Sequence, residues 1–217
     1  MSGKMSIREF IFRALKASAG LILFGFGVYL TVQADIGLAP WDVFRQGISN
    51  HTPLTFGQVS IVTGFIILGI DICLKEKIGV GSILDAYLVG TAYDCFDKMG
   101  ILAKSENMVY SLILITIGMF IMAYAQYLYM CAALCCGPND SLLVALGKRM
   151  PKVPIGFVNI GIMAIVLVIG IFLGVPVGIG TVYSVAGIGV VQQLVFNLLH
   201  FEPRETVHVG IIDMIKK

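Results

Sequence analysis

Two short stretches, Pro40-Trp41-Asp42 and Pro138-Asn139-Asp140, hold residue types with which a membrane-buried site would handle a charged solute. In each, Pro suits the first turn of a helix, where its missing N–H would be unpaired anyway. Asp then stands where a carboxylate accepts hydrogen bonds from the free N–H groups of a helix start and complements its positive dipole. Each stretch predicts a short helix, over about 41–49 and about 140–149. Such a helix either lies on a membrane surface or is broken and re-entrant, its N-terminus pointing into a cavity. Non-helical backbone at membrane depth is tolerated only where protein buries it or water reaches it. In the re-entrant case the paired N-termini offer N–H groups to an anionic group. Asp42 and Asp140 partly cancel that field, which keeps a cationic or zwitterionic solute open.

The other candidate site residues lie inside apolar runs. Asp85 and Asp94 share one run with Ser82, Tyr87, Thr91 and Tyr93. An ionisable residue inside a span costs about 2.5–3.5 kcal/mol on insertion scales and therefore faces a cavity or a partner. Asp85, about two turns into its run, is the leading candidate for a substrate or proton-coupling carboxylate. Gln192 and Gln193 stand in a matching polar set with Thr181, Tyr183 and Ser184, and Gln58 and Asn159 lie early in two further runs. For all of these the competing reading is a hydrogen bond that fixes one helix against another.

Enzymatic chemistry has little to work with. His51, His200 and His208 fall at loops and ends, and no serine-hydrolase elbow, zinc-protease or phosphate-loop pattern is present. No cofactor is expected. Cys73, Cys95, Cys131, Cys135 and Cys136 lie in or beside apolar runs and are odd in number, which is no disulfide framework. Cys131 and Cys135 share a helix face, where a soft-metal thiolate pair competes with simple packing. The formal charge of +2 is dispersed between apolar runs and forms no nucleic-acid stripe.

The elements that must position these residues are membrane helices. With 58% apolar residues, 13% charged residues and a mean hydropathy of +0.92, the chain lies outside the soluble globular range. Six spans are predicted, at about 11–34, 56–74, 79–97, 107–134, 154–174 and 179–199, followed by a cytoplasmic tail over 201–217. With the N-terminus inside, twelve Lys and Arg fall on inner segments and three, Arg45, Lys98 and Lys104, on outer ones, as the positive-inside rule expects.

The chain also repeats itself. Asp42 with Asp140, Gly20 with Gly118 and Tyr29 with Tyr127 are each 98 apart. After one inserted residue Gly57, Gly79, Gly81 and Gly90 fall on Gly156, Gly178, Gly180 and Gly189 at a spacing of 99. A single transmembrane domain of two halves, about 11–100 and about 107–200, follows. Three spans is an odd number, so the halves must be inverted relative to each other. The expected fold is an all-α membrane protein of six transmembrane helices in two inverted three-helix repeats, each with a short broken or re-entrant helix after its first span.

The Gly-Leu-Ala-Pro-Trp-Asp break at 37–42, the Gly57 span and the Gly-Val-Gly-Ser opening at 79–82 resemble the YczE/YitT type of bacterial integral membrane protein. That resemblance implies a multi-pass protein of the bacterial cytoplasmic membrane with a presumed transport role and no defined substrate. The expected function is transport or channelling of a small polar or charged solute through a mid-membrane site between the repeats. An accessory or scaffold membrane subunit, or the solute-binding subunit of a multi-component transporter, is the alternative. Expected partners are the lipid bilayer, a small-molecule or ion substrate, and a second copy or a partner membrane subunit.

Overall fold

The computed structural model describes residues 6–76, 78–134 and 137–201. The tail beyond 201, Cys135, Cys136 and Lys77 lie outside the described residues, and with them fall the expectations for the tail and for a Cys131–Cys135 pair. The described residues form eight α-helices. These are α1 (Ile7–Gln33), α2 (Pro40–His51), α3 (Phe56–Cys73), α4 (Val80–Met99), α5 (Met108–Cys131), α6 (Pro138–Arg149), α7 (Ile155–Phe172) and α8 (Ile179–Leu198). The protein is an all-helical membrane protein.

Local chemistry sets the ends of these helices. α2 and α6 begin on Pro, after extended Ala39 and Gly137. Ahead of them, Asp35 and Ala133 adopt left-handed conformations that turn the chain sharply away from the preceding long helix. Thr55 and Gln58 form a reciprocal capping box that starts α3, and the Asn107 side chain accepts from Val109 and Tyr110 N–H to start α5. α4 ends at Gly100, with φ of 59°.

Five helices, α1, α3, α5, α7 and α8, are long and apolar enough to cross a membrane. α4 is not among them, because Asp85, Asp94, Asp97 and Lys98 interrupt its 20 residues. Its two ends are nonetheless tied to different places. Beyond its last turn, the Tyr29 hydroxyl accepts from Leu102 N–H at 2.9 Å, Ser105 N–H donates to the Gln33 carbonyl at 2.9 Å, and Lys104 pairs with Asp35 at 3.0 Å, all at the end of α1. Ahead of its first turn, Glu76 pairs with Lys148 at 2.7 Å, and Arg149 donates to the Leu74 carbonyl at 3.0 Å, at the ends of α3 and α6.

α1 and α5 form the central pair. They cross where Gly27 and Gly118 bring the backbones together: a Cβ on Gly118 would lie 2.9 Å from the Gly27 carbonyl. α4 packs on α1 and α8 on α5, while α2 rests on α7 and α6 on α3. Tyr29, fully buried, anchors an aromatic cluster with Phe26, Tyr93 and Phe96 between α1 and α4. One packing is one-sided: α3 lies along α4, whereas α7 makes no comparable contact with α8.

The element lengths recur along the chain. α2 and α6 have 12 residues each, α3 and α7 have 18, and α4 and α8 have 20. Their starts are offset by 98 residues for the short helices and by 99 for the two following pairs.

Candidate functional site

The two chain breaks ahead of α2 and α6 are pinned by equivalent hydrogen bonds from the other half of the chain. Gly81 N–H, at the start of α4, donates to the Leu134 carbonyl at 2.9 Å, and Gly180 N–H, at the start of α8, donates to the Ile36 carbonyl at 2.8 Å. The approach is close enough to need glycine. A Cβ on Gly81 would sit 2.7 Å from the Leu134 carbonyl, and one on Gly180 would sit 2.7 Å from that of Gly37. The start of α4 therefore meets the break ahead of α6, and the start of α8 meets the break ahead of α2.

Charged side chains gather at these two breaks. Asp42 is buried and accepts from Arg45 Nη1 at 3.0 Å. The Arg45 guanidinium also lies over the Trp41 ring, 5.9 Å from its centre, and its Nε has no partner. From α4, Asp85 points at the start of α6, where a Cβ on Gly137 would lie 2.7 Å from Asp85 Oδ2. Asp140 of α6 and Arg45 of α2 both act electrostatically on Asp85. Asp140 interacts with Tyr129 of α5, and Asn139 beside it is half-buried. On α3, Asp71 is fully buried and neither of its carboxylate oxygens has a hydrogen-bond partner. Thr181, buried at the start of α8, leaves its hydroxyl without a partner against Gly37.

Asp42 and Asp140 do not cap their helices as the sequence implied. Neither N-cap, Ala39 nor Gly137, supplies a side-chain hydrogen bond. Each helix starts on its Pro, which puts the Asp inside the first turn, where Asp42 turns to Arg45.

The remaining sequence candidates are dispersed. Asp94 accepts from Gly57 N–H at 2.9 Å and from the Thr55 hydroxyl, which holds the start of α3 against α4. Gln58 belongs to the α3 capping box. Gln192 donates to Gln126 of α5 at 2.6 Å, joining α8 to α5. Gln193 donates to Asn197 on its own helix at 2.8 Å and lines an open groove with Gly189, Val190 and Leu194. Asn159 is half-buried on α7. Trp41 and Asp42 thus share Arg45 on α2, and Asp85 stands against the start of the helix that carries Asp140.

Sequence reasoning passed over two residues of the site. Arg45 was counted as an outer basic residue, although its spacing of three from Asp42 puts both on one helix face. Asp71 stands alone within the apolar run 56–74, where an ionisable residue is itself the signal.

Comparison with known proteins agrees with this membrane architecture. The family described as a family of unknown function, DUF6198, matches residues 11–197. The uncharacterised membrane protein YczE of Bacillus subtilis is 30% identical over 188 residues, covering 86% of each chain. An uncharacterised protein of Haemophilus influenzae is 29% identical over 82% of this chain and 81% of its own. The uncharacterised protein YyaS of Bacillus subtilis is 26% identical over 76% of this chain and 83% of its own. These matches bear out the resemblance to the YczE type. No solved structure matches.

Proposed function

We propose that this chain, which belongs to the DUF6198 family, is a transporter or channel for a small polar or charged solute in a bacterial cytoplasmic membrane. In this reading six of the eight helices span the membrane in two inverted repeats, α1–α4 and α5–α8, with both termini cytoplasmic, and the solute site lies between the starts of α2 and α6. The observation that carries it is the pair of hydrogen bonds Gly81 to Leu134 and Gly180 to Ile36. They join equivalent positions across the repeats and hold two short helix starts in the protein interior. Broken helices that meet on a repeat axis are the usual frame of a mid-membrane solute site.

The ties at the two ends of α4 support counting it as the sixth span, since they attach it to the end of α1 on one side and to the end of α3 on the other. Its carboxylates then face protein, where their burial is tolerated. Four carboxylates, Asp42, Asp71, Asp85 and Asp140, against one guanidinium, Arg45, favour a cationic or zwitterionic solute. Among the described residues, nothing in the site has the nucleophile and base geometry of an enzyme, and we read the chain as a non-enzyme.

A thermal-shift screen of the purified protein against amines, amino acids, organic acids, vitamins and simple ions tests this reading, because a ligand bound only by the folded state must raise its stability. The expected result is a saturable shift with a cation or zwitterion that is lost in Asp85→Asn, together with loss of uptake of that solute. Normal uptake by Asp85→Asn would overturn the site assignment. A panel without any hit, joined to capture of a stoichiometric membrane partner, would favour the accessory-subunit alternative.

A further inference from the structure

In the first half of the chain, the start of α3 is clasped to the end of α4. Gly57 and Gly90 meet backbone to backbone: a Cβ on Gly57 would lie 2.1 Å from the Gly90 carbonyl, and one on Gly90 would lie 2.3 Å from that of Gly57. Asp94 completes the clasp by accepting from Gly57 N–H. Deeper along the same seam, a Cβ on Gly64 would be 3.0 Å from the Ala86 Cβ.

The residues 99 positions on are Gly156, Gly189 and Gln193. They carry the same chemistry, but the clasp is undone. A Cβ added to Gly156 or to Gly189 would meet nothing within 4 Å. Gln193, whose amide oxygen could accept as Asp94 does, instead turns its amino group to Asn197 and borders the open groove on α8. The C-terminal half of α7 is held firmly on α2, where a Cβ on Gly170 would lie 2.6 Å from Val43 Cγ1. Its N-terminal half touches α6, where a Cβ on Gly147 would lie 3.4 Å from Ile155 Cδ1, and Val158 is buried, but it leaves Ile155, Phe157 and Ile160 more than half exposed.

We propose that α7 swings onto α8 in a second conformation, with Gly156 against Gly189 and Gln193 over the start of α7, as α3 is clasped to α4 here. The groove bordered by Gly189 and Gln193 is the seat that α7 leaves empty. The two clasps lie at opposite ends of the molecule: the end of α4 is tied to the end of α1, where α5 starts, whereas Phe201 beyond α8 packs on Tyr127 near the end of α5. The described conformation is therefore closed at the end where α1 finishes and open at the end where α8 finishes. Pro154 stands where Thr55 stands in the first half, so the second clasp lacks the hydroxyl donor of the first, which accords with its being the open one. This inference rests on the repeat relation in the proposed function and not on any solute.

Cysteine cross-linking in native membranes, in a background with all five native cysteines replaced, tests it without a substrate. Gly64→Cys with Ala86→Cys reports the closed α3–α4 seam, and Met163→Cys with Val185→Cys reports the equivalent α7–α8 seam. Both pairs are expected to cross-link within one chain. Adding Gly189→Leu fills open space in this conformation, so the chain should still fold and form the Gly64→Cys/Ala86→Cys link while the Met163→Cys/Val185→Cys link is lost. A Met163→Cys/Val185→Cys protein that elutes as a folded species yet forms no link overturns the proposal. A link formed only between two chains also overturns it and assigns the groove to a second copy. Solute uptake enters neither reading, so failure of the clasp and failure of the transport assignment are told apart.

Discussion

Asp42 and Arg45 are the most exposed to loss of a partner, because the low dielectric that strengthens their attraction also makes either one costly alone. Their side chains are only 9% and 13% accessible. Breaking a buried pair by deleting one partner costs about 3–5 kcal/mol, while deleting both can be nearly neutral. Arg45→Ala is therefore expected to lower unfolding stability in detergent by that order, with Asp42→Ala/Arg45→Ala recovering much of the loss. A double variant no more stable than Arg45→Ala would show that the guanidinium holds more than Asp42. At Asp85 the expectation differs: Asp85→Asn keeps the shape against Gly137 and should leave folding intact while transport is lost. The sequence identified Asp42, Asp85 and Asp140, because an acid in an apolar run or beside a helix-starting Pro is conspicuous. It did not reveal that Arg45 turns inward, since a basic residue in a short amphipathic helix reads equally well as solvated, and only its burial beside Asp42 and Trp41 decides.

The helices carry a second distinction that composition cannot express. Glycines at equivalent positions are not equivalent in space: Gly57 is pressed against α4, and Gly156 faces nothing within 4 Å. Gly57→Ala must push the Gly90 backbone away, and overpacking of this kind costs about 1–3 kcal/mol. Gly156→Ala meets no neighbour and gains up to about 1 kcal/mol of helix propensity. Thermal unfolding should rank the variants Gly57→Ala below the parent and Gly156→Ala at or above it. Equal losses would mean that α7 packs on α8 in the conformation that unfolds. The helix boundaries themselves were legible, since Pro40, Pro138, Thr55 and Asn107 announce their starts by local chemistry. The short helices run slightly longer than the sequence implied, from Pro40 and Pro138, because Pro itself occupies the first turn. α4 was legible only by its length and its glycines. Asp94 and Asp97 lower its hydropathy because they bond other helices and loops, Asp94 at the start of α3 and Asp97 from Gln33 Nε2 at 3.1 Å.

For the molecule as a whole, the ties at the ends of α4 turn span counting into a question of sides. α1 and α3 both qualify as spans, so with the N-terminus inside, α1 finishes outside and the intervening loop 52–55 lies outside before α3 returns to finish inside. Leu102, Lys104 and Ser105 bond to the finish of α1, and Glu76 and Leu74 bond to the finish of α6. In the proposed reading α4 therefore travels from the inner face to the outer one. Single cysteines in a cysteine-free background read this directly. Pro53→Cys and Ser105→Cys should react with an impermeant thiol reagent from outside intact cells, and Ser6→Cys and Lys152→Cys only after permeabilisation. If Ser105→Cys reacted only after permeabilisation while Pro53→Cys reacted at once, α4 would not cross. The two halves would then differ in span number, and the inverted repeat would fall with it. If both react from outside, the repeat follows from parity, because three crossings per half leave the second half no orientation but the opposite one.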